Sequence, residues 1–234
     1  MMPTEGTKPI GRRVFLGTLG LGAAAIVAAP TVQKAWSGTL GELSQLDPTG
    51  VSGLLPNPGG FRYFSVAGHV DRADPATYRL TVGGLVDRPL ELSLADLQAM
   101  RQTRVTREIV CTDGWSVEQV PVDGVRLSDL LDRAGVTGGA GAVRFTCFDG
   151  VYSESLTLEQ ARRPDVLVAL QMEDKPISHN SGGPVRLYVA PMYFYKSAKW
   201  LSGIEVTEKV EPGYWEKTGW PVDAWLPGQE PGHA

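Results

Sequence analysis

The sequence predicts an α+β fold with mixed sheets and short helices. Three observations carry this. The apolar patterns come in short stretches that do not alternate strand–helix–strand, which argues against a doubly wound parallel sheet. The 28 Gly and 17 Pro residues divide the chain into short elements with many connections. Once an N-terminal export segment is set aside, about 190 to 200 residues remain, enough for one core and too few for two.

The export segment comes first. Arg12-Arg13 stands directly before Val14-Phe15-Leu16, and residues 16–29 are an uncharged run rich in Gly, Ala, Leu, Ile and Val. A basic stretch, an apolar stretch and then small residues make a secretory signal. The arginine pair gives it the twin-arginine form. A plain secretory signal and an uncleaved membrane anchor are the alternatives, although the run is short against the roughly 17 to 25 apolar residues of a spanning helix. Residues 1–38 are therefore read as signal, or anchor, and linker. Residues 39–60 are read as a further linker, 61–210 as the domain, and 211–234 as a tail closing its site.

The elements follow in order. Residues 78–86 alternate as a strand ending in a turn. Ser93 opens a helix, with Asp96 in its first turn and Leu94, Leu97 and Met100 behind it. Residues 106–111 form a strand that feeds the Thr112-Asp113-Gly114 turn. Residues 127–134 form a short amphipathic helix opened near Ser128-Asp129, and residues 156–161 another. Between them, residues 143–148 form a strand with Val143, Phe145 and Cys147 on one face. Residues 165–172 are a buried apolar run. Residues 184–189 and 198–208 are the last strand regions.

The net charge of -4 argues against nucleic acid or an anionic membrane surface as the main partner. Two cysteines in an exported chain allow a Cys111–Cys147 disulfide. The alternative is that Cys111, before a tight Gly-Trp turn, is a thiolate ligand for a soft metal. Cys147 is then a small buried hydrophobe.

Several blocks carry a family resemblance through their order and spacing. They are Val82-Gly83-Gly84-Leu85-Val86 with the helix at Ser93; Cys111-Thr112-Asp113-Gly114-Trp115; Gly124-Val125 with Leu127; Pro164-Asp165-Val166-Leu167; Gly183-Pro184-Val185-Arg186-Leu187; and Tyr195-Lys196-Ser197-Ala198-Lys199-Trp200. In these the chain resembles the molybdopterin-binding domain of the sulfite oxidase family, from about Phe61 to Trp220. Its Cys-x-x-Gly-Trp form is similar to the periplasmic methionine sulfoxide reductase branch.

The resemblance implies molybdenum held by Cys111 and by the dithiolene of one pyranopterin. It implies cofactor contacts from Arg62, Tyr63, Thr146, Ser181, Arg186, Ser197, Ala198 and Lys199. Arg186 offers a planar fork for phosphate oxygens. Lys196, beside the matched Lys199, is read as an ordinary solvated charge, and His179 as a surface-loop residue.

The departures bear on substrate. Ser181 stands where the family often has His or Asn. No Arg-rich segment follows Cys111, so the cationic groups that help hold a sulfite dianion are missing. Trp220 stands where the family commonly has an active-site Tyr, and an indole only donates N–H, so substrate or mechanism differs unless Tyr214 substitutes. With Arg62 as the remaining cation, Cys111, Trp220 and Arg62 form the expected catalytic set.

The favoured reading is an exported molybdenum oxidoreductase that moves an oxygen atom to or from a sulfur centre, leaning to S-oxide reduction. Sulfite oxidation and a non-catalytic molybdopterin-binding module are the alternatives. The chain has no Cys-x-x-Cys-His for haem. It is expected to act as a monomer on a small sulfur compound. Electrons would pass through a separate carrier, a membrane cytochrome or a soluble periplasmic protein.

Overall fold

The computed structural model describes residues 60–62 and 64–231. The export segment, most of the first linker and Tyr63 lie outside the described residues. Among these residues ten strands make two sheets, the first mixed and the second antiparallel throughout. The first has the order β2 (Leu90–Ser93), β1 (Arg79–Gly84), β10 (Leu201–Thr207), β5 (Ala142–Cys147), β6 (Ser153–Thr157). Within it β1 runs parallel to β10, while β10 to β5 and β5 to β6 are antiparallel. The second has the order β3 (Thr103–Val110), β4 (Ser116–Arg126), β7 (Val166–Met172), β8 (Lys175–Pro176). There β9 (Arg186–Val189) also pairs with β7.

The apolar run at 165–172 is strand β7, and its burial explains its sequence. Val166, Val168 and Leu170 enter one hydrophobic core, while Leu167, Ala169 and Met172 enter another. A strand with both faces covered reads as a continuous apolar run, because the period-2 alternation has no polar side to display. Strand β9 repeats the device: Leu187 and Val189 face the first core, and Tyr188 faces the second.

The helices are short, and the cap of the first is visible in the sequence. Helix α1 (Leu94–Ala99) starts from a capping box in which Ser93 and Asp96 each accept the other's backbone N–H. Helix α2 (Leu127–Ala134) buries Leu127, Leu130, Leu131 and Ala134, one stripe at helical spacing, and stops at Gly135 in the left-handed region. Its cap position is Arg126, not Ser128-Asp129 as the sequence suggests.

Residues 156–161 need a larger correction. Leu156 and Thr157 end strand β6, with Leu156 paired to Val143. Only Leu158–Ala161 is helical (α3), opened by a Thr157–Gln160 capping box. Thr157 is both the last strand residue and the cap, so one apolar stretch spans two elements. Among the described residues no helix is long and apolar enough to cross a membrane.

Candidate active site

Strand β3 delivers Cys111 to the end of the second sheet. The chain reverses at once: Cys111 N–H donates to Trp115 O at 2.9 Å, and Gly114 N–H donates back to Cys111 O at 3.2 Å. Gly114 sits at φ +81°, which a side chain disfavours, so the Asp-Gly pair makes the turn. The following Trp115 is buried. Its ring meets Phe61 edge-on at 5.9 Å and Phe194 at 6.0 Å, and this anchors the turn on the second core.

Cys111 is half-buried and opens into a cleft of about 360 Å³. Arg62, Arg186, Ser197, Lys199 and Trp220 line the same cleft. Burial pushes the Cys111 thiol up from its ordinary range, and the neighbouring Asp113 carboxylate, with Oδ2 3.6 Å from Sγ, adds to this. A free thiol here is therefore held protonated, and a bound metal is what converts it to thiolate. Cys147 does not reach it. It is a free, buried thiol of the first core, so these cysteines form no disulfide.

Arg186 begins β9 and is buried beside the cleft. Its Nη1 donates to Ser181 O and its Nη2 to Ser197 O, each at 2.6 Å, and its guanidinium lies 4.2 Å over the Phe194 ring. It thus ties the 178–185 loop to the segment before β10. Lys199 follows in that segment, with Nζ donating to Phe64 O at 2.5 Å and lying 4.1 Å over the Trp200 ring. Gly182, at φ +97°, lets the loop pass close to it: a Cβ there would fall 2.6 Å from Lys199 Cβ. Burial, with the Arg186 cation as a second cause, brings the Lys199 ammonium down to about 7.

The other residues singled out from sequence lie elsewhere. The Ser181 hydroxyl pairs with Ser178 Oγ at 2.8 Å, and its carbonyl serves Arg186. Ala198 is buried in the first core and its carbonyl accepts Leu187 N–H at 2.9 Å. Thr146 lies on β5, and its carbonyl accepts the Ser202 hydroxyl at 3.2 Å. None of the three lines the cleft. His179 packs on Trp200 and meets Val70 O at 2.8 Å through Nε2, half-buried and away from the cleft. Lys196 corrects the sequence reading outright. It is 0% exposed, enclosed by Glu154 and Glu216.

Sequence reasoning missed the far wall of the cleft. Phe64, Tyr152, Tyr195 and Trp215 stand there with Trp220. The Trp220 ring meets Tyr195 at 5.2 Å and Trp215 at 5.5 Å. The Tyr195 hydroxyl donates to Pro221 O at 2.6 Å, which pins the tail to the 194–196 turn. Tyr214 does not reach the cleft and stacks on Tyr152 instead. The density of aromatic residues in 214–220 was a signal for Trp215, and nothing local marked Phe64, Tyr152 or Tyr195.

The cleft thus offers one thiol, three cationic side chains and a large apolar wall. A soft metal held by a thiolate and an anionic group held by Arg186 and Lys199 suit this donor set. Burial and the Arg186 cation press the Lys199 charge down, and a phosphate held between the two would oppose this.

The chain matches the family model described as "Oxidoreductase molybdopterin binding domain" over residues 67–215. It is 35% identical over 154 residues to the uncharacterized oxidoreductase YuiH of Bacillus subtilis (strain 168), covering 65% of this chain and 77% of that one. It is 30% identical over 170 residues to the protein-methionine-sulfoxide reductase catalytic subunit MsrP of Ralstonia nicotianae, covering 62% of this chain and 51% of that one. The sulfane dehydrogenase SoxCD of Paracoccus pantotrophus superposes with a TM-score of 0.57 at 23% identity, over 61% of this chain and 41% of that one. That last likeness concerns the fold alone. The protein belongs to the molybdopterin-binding oxidoreductases of the sulfite oxidase family. It is an oxidoreductase with a molybdenum–pterin cofactor.

Proposed function

We propose that the protein reduces S-oxides, and methionine sulfoxide in particular. The observation that carries this reading is the company Cys111 keeps. Asp113 Oδ2 lies 3.6 Å from Sγ, and Trp215 and Trp220 wall the cleft. A sulfite dianion placed there would meet a like charge and lose hydration without enough cationic partners. A neutral sulfoxide has a small dipole to orient and alkyl groups to bury, and it suits an aromatic wall.

When bound, the molybdenum centre supplies two-electron oxygen-atom transfer. The chain's residues do the rest. Cys111 ligates the metal, and Arg186 and Lys199 hold the pterin phosphate. The aromatic wall orients the alkyl groups of the substrate and excludes water, and the Trp220 indole has one N–H to donate to an S-oxide oxygen. The balanced reaction takes a sulfoxide, two electrons and two protons to a sulfide and water. The electrons come from a separate carrier, in keeping with the Ralstonia relative being named a catalytic subunit.

Metal-loaded protein assayed with a reduced viologen dye and methionine sulfoxide tests this. The reverse assay uses sulfite and an oxidising dye. The expected result is a higher kcat/KM for the sulfoxide; faster turnover of sulfite overturns the reading. Export belongs to the same proposal and rests on Arg12-Arg13. Replacing the pair by Lys-Lys should strand the protein in the cytoplasm, and unchanged delivery favours a plain signal.

A further inference from the structure

Lys196 lies between two residues of the cleft wall, Tyr195 and Ser197, yet its side chain turns away from the cleft. Nζ donates to Glu154 Oε1 at 2.5 Å, to Ser155 O at 2.9 Å and to Glu216 Oε1. Glu154 and Ser155 belong to strand β6, and Glu216 belongs to the tail. The second oxygen of Glu216 accepts Gly213 N–H at 2.5 Å. Tyr214 N–H donates to Ser153 O at 2.9 Å, and a Cβ at Gly213 would fall 2.6 Å from that same oxygen. The tail therefore presses its backbone against β6 where the lysine joins them. Trp215 immediately precedes Glu216, and Trp220 N–H returns to Trp215 O at 3.3 Å.

We infer that Lys196 and Glu216 are positioning residues, a buried tether that holds Trp215 and Trp220 as one wall of the substrate cleft. The inference rests on the proposed reading of that wall as the surface that meets the substrate. A surface ion pair would contribute little to such a hold. This one is fully buried, so removing one partner leaves a desolvated group behind and the geometry is enforced. Two carboxylates share one ammonium, and Glu154 Oε2 has no hydrogen-bond partner. Glu154 is accordingly pushed up to about 8, chiefly by burial, and holds the proton that balances the cluster. Glu216, whose two oxygens meet Lys196 Nζ and Gly213 N–H, is the arm of the tether that belongs to the tail.

Hydrogen exchange on the metal-loaded protein tests the tether without using activity. Glu216→Ala leaves Lys196 and Glu154 as a one-to-one pair, so the domain keeps its fold while the tail loses its hold. Amides of 213–220 should then exchange about tenfold faster or more, with β7 and β9 unchanged. Glu216→Gln keeps one acceptor arm and should fall between. Glu154→Gln mimics the protonated carboxyl and should leave the tail as in wild type. In steady state, Glu216→Ala should raise KM for an aryl methyl sulfoxide about fivefold, with kcat within about twofold. Unchanged exchange at 213–220 in Glu216→Ala overturns the tether, as does equal loosening by Glu154→Gln, which would show a mere response to lost buried charge. Faster exchange with an unmoved KM overturns the positioning role. Wild-type protein inactive on every S-oxide would sink the functional reading, and the exchange result would still decide the tether.

Discussion

The Arg186 guanidinium lies 4.2 Å over the Phe194 ring while its two Nη atoms reach Ser181 O and Ser197 O. The stack and the fork fix the plane of the charge. A lysine at this position keeps the charge but has no planar fork and cannot join two carbonyls and an aromatic face at once. Arg186→Lys should therefore lower molybdenum content by about tenfold, since each lost charge-assisted contact counts for roughly 1.5 to 3 kcal/mol. Elemental analysis after expression in a cofactor-competent host measures it. Full metal content in this variant would leave Arg186 a structural tie only.

The two cysteines should respond in opposite ways to the same change. Cys111→Ser replaces the thiolate by a harder donor at an open cleft, so turnover should vanish while the melting temperature holds. Cys147→Ser places a hydroxyl in the first core, where burial already pushes the thiol up. It should cost about 1 to 3 kcal/mol of stability and leave specific activity per bound metal intact. Denaturant unfolding paired with assays on both variants separates the two roles.

Lys199 and Glu154 make a prediction about pH. Lys199, brought down to about 7, is a neutral amine in much of the cofactor-free protein at slightly alkaline pH. It should acylate faster than the surface lysines at pH 8, and loading the cofactor should protect it, as read by peptide mass spectrometry. Glu154 moves from an ordinary 4.5 up to about 8, so the folded protein holds a proton that the unfolded chain has lost between these values. The associated stability is complete below about 4.5 and is lost as pH rises to about 8. The groups facing Glu154 are Lys196, Glu216 and the phenols of Tyr152 and Tyr195, whose own shifts it helps to cause. Melting temperature should fall across that window in wild type, and the fall should be shallower in Glu154→Gln.

What the sequence could and could not reveal follows from where partners lie. Caps and the stripe of α2 are local, so Ser93 and residues 127–134 were legible. Strand β7 was visible as an apolar run, but its two buried faces removed the alternation that names a strand. Strand β4 escaped notice, since Glu118, Gln119, Pro121, Asp123 and Gly124 dilute its pattern and half of its edge partner β3 is exposed. Cys111 was legible as a candidate soft-metal ligand from the Gly-Trp turn after it, and the cationic residues only as members of family blocks. Lys196 was misread because its carboxylate partners lie 42 and 20 residues away, and nothing local marks a lysine for burial.

Trp220 meets Tyr195 in a T-shaped contact at 5.2 Å and lies tilted against Trp215 at 5.5 Å, and it lines the cleft. Trp225 offers an internal control, since it sits under Arg163 at 5.3 Å, bridges Met192 and lies outside the cleft. If the Trp220 indole meets substrate, Trp220→Tyr shrinks the apolar wall and adds a phenol that exchanges a proton. The ratio of kcat/KM for sulfite to that for methionine sulfoxide should then rise by about tenfold, a change of about 1.4 kcal/mol in relative transition-state binding. Metal content should not move. Trp225→Phe should lower the melting temperature and leave the ratio where it was. Arg62 is exposed at the cleft and carries charge without a wall of its own. Arg62→Gln should therefore depress sulfite more than sulfoxide. Equal loss on both substrates for Trp220→Tyr, with a lower melting temperature, would make Trp220 a packing residue like Trp225. Selectivity would then rest on Asp113 beside Cys111 rather than on the aromatic wall.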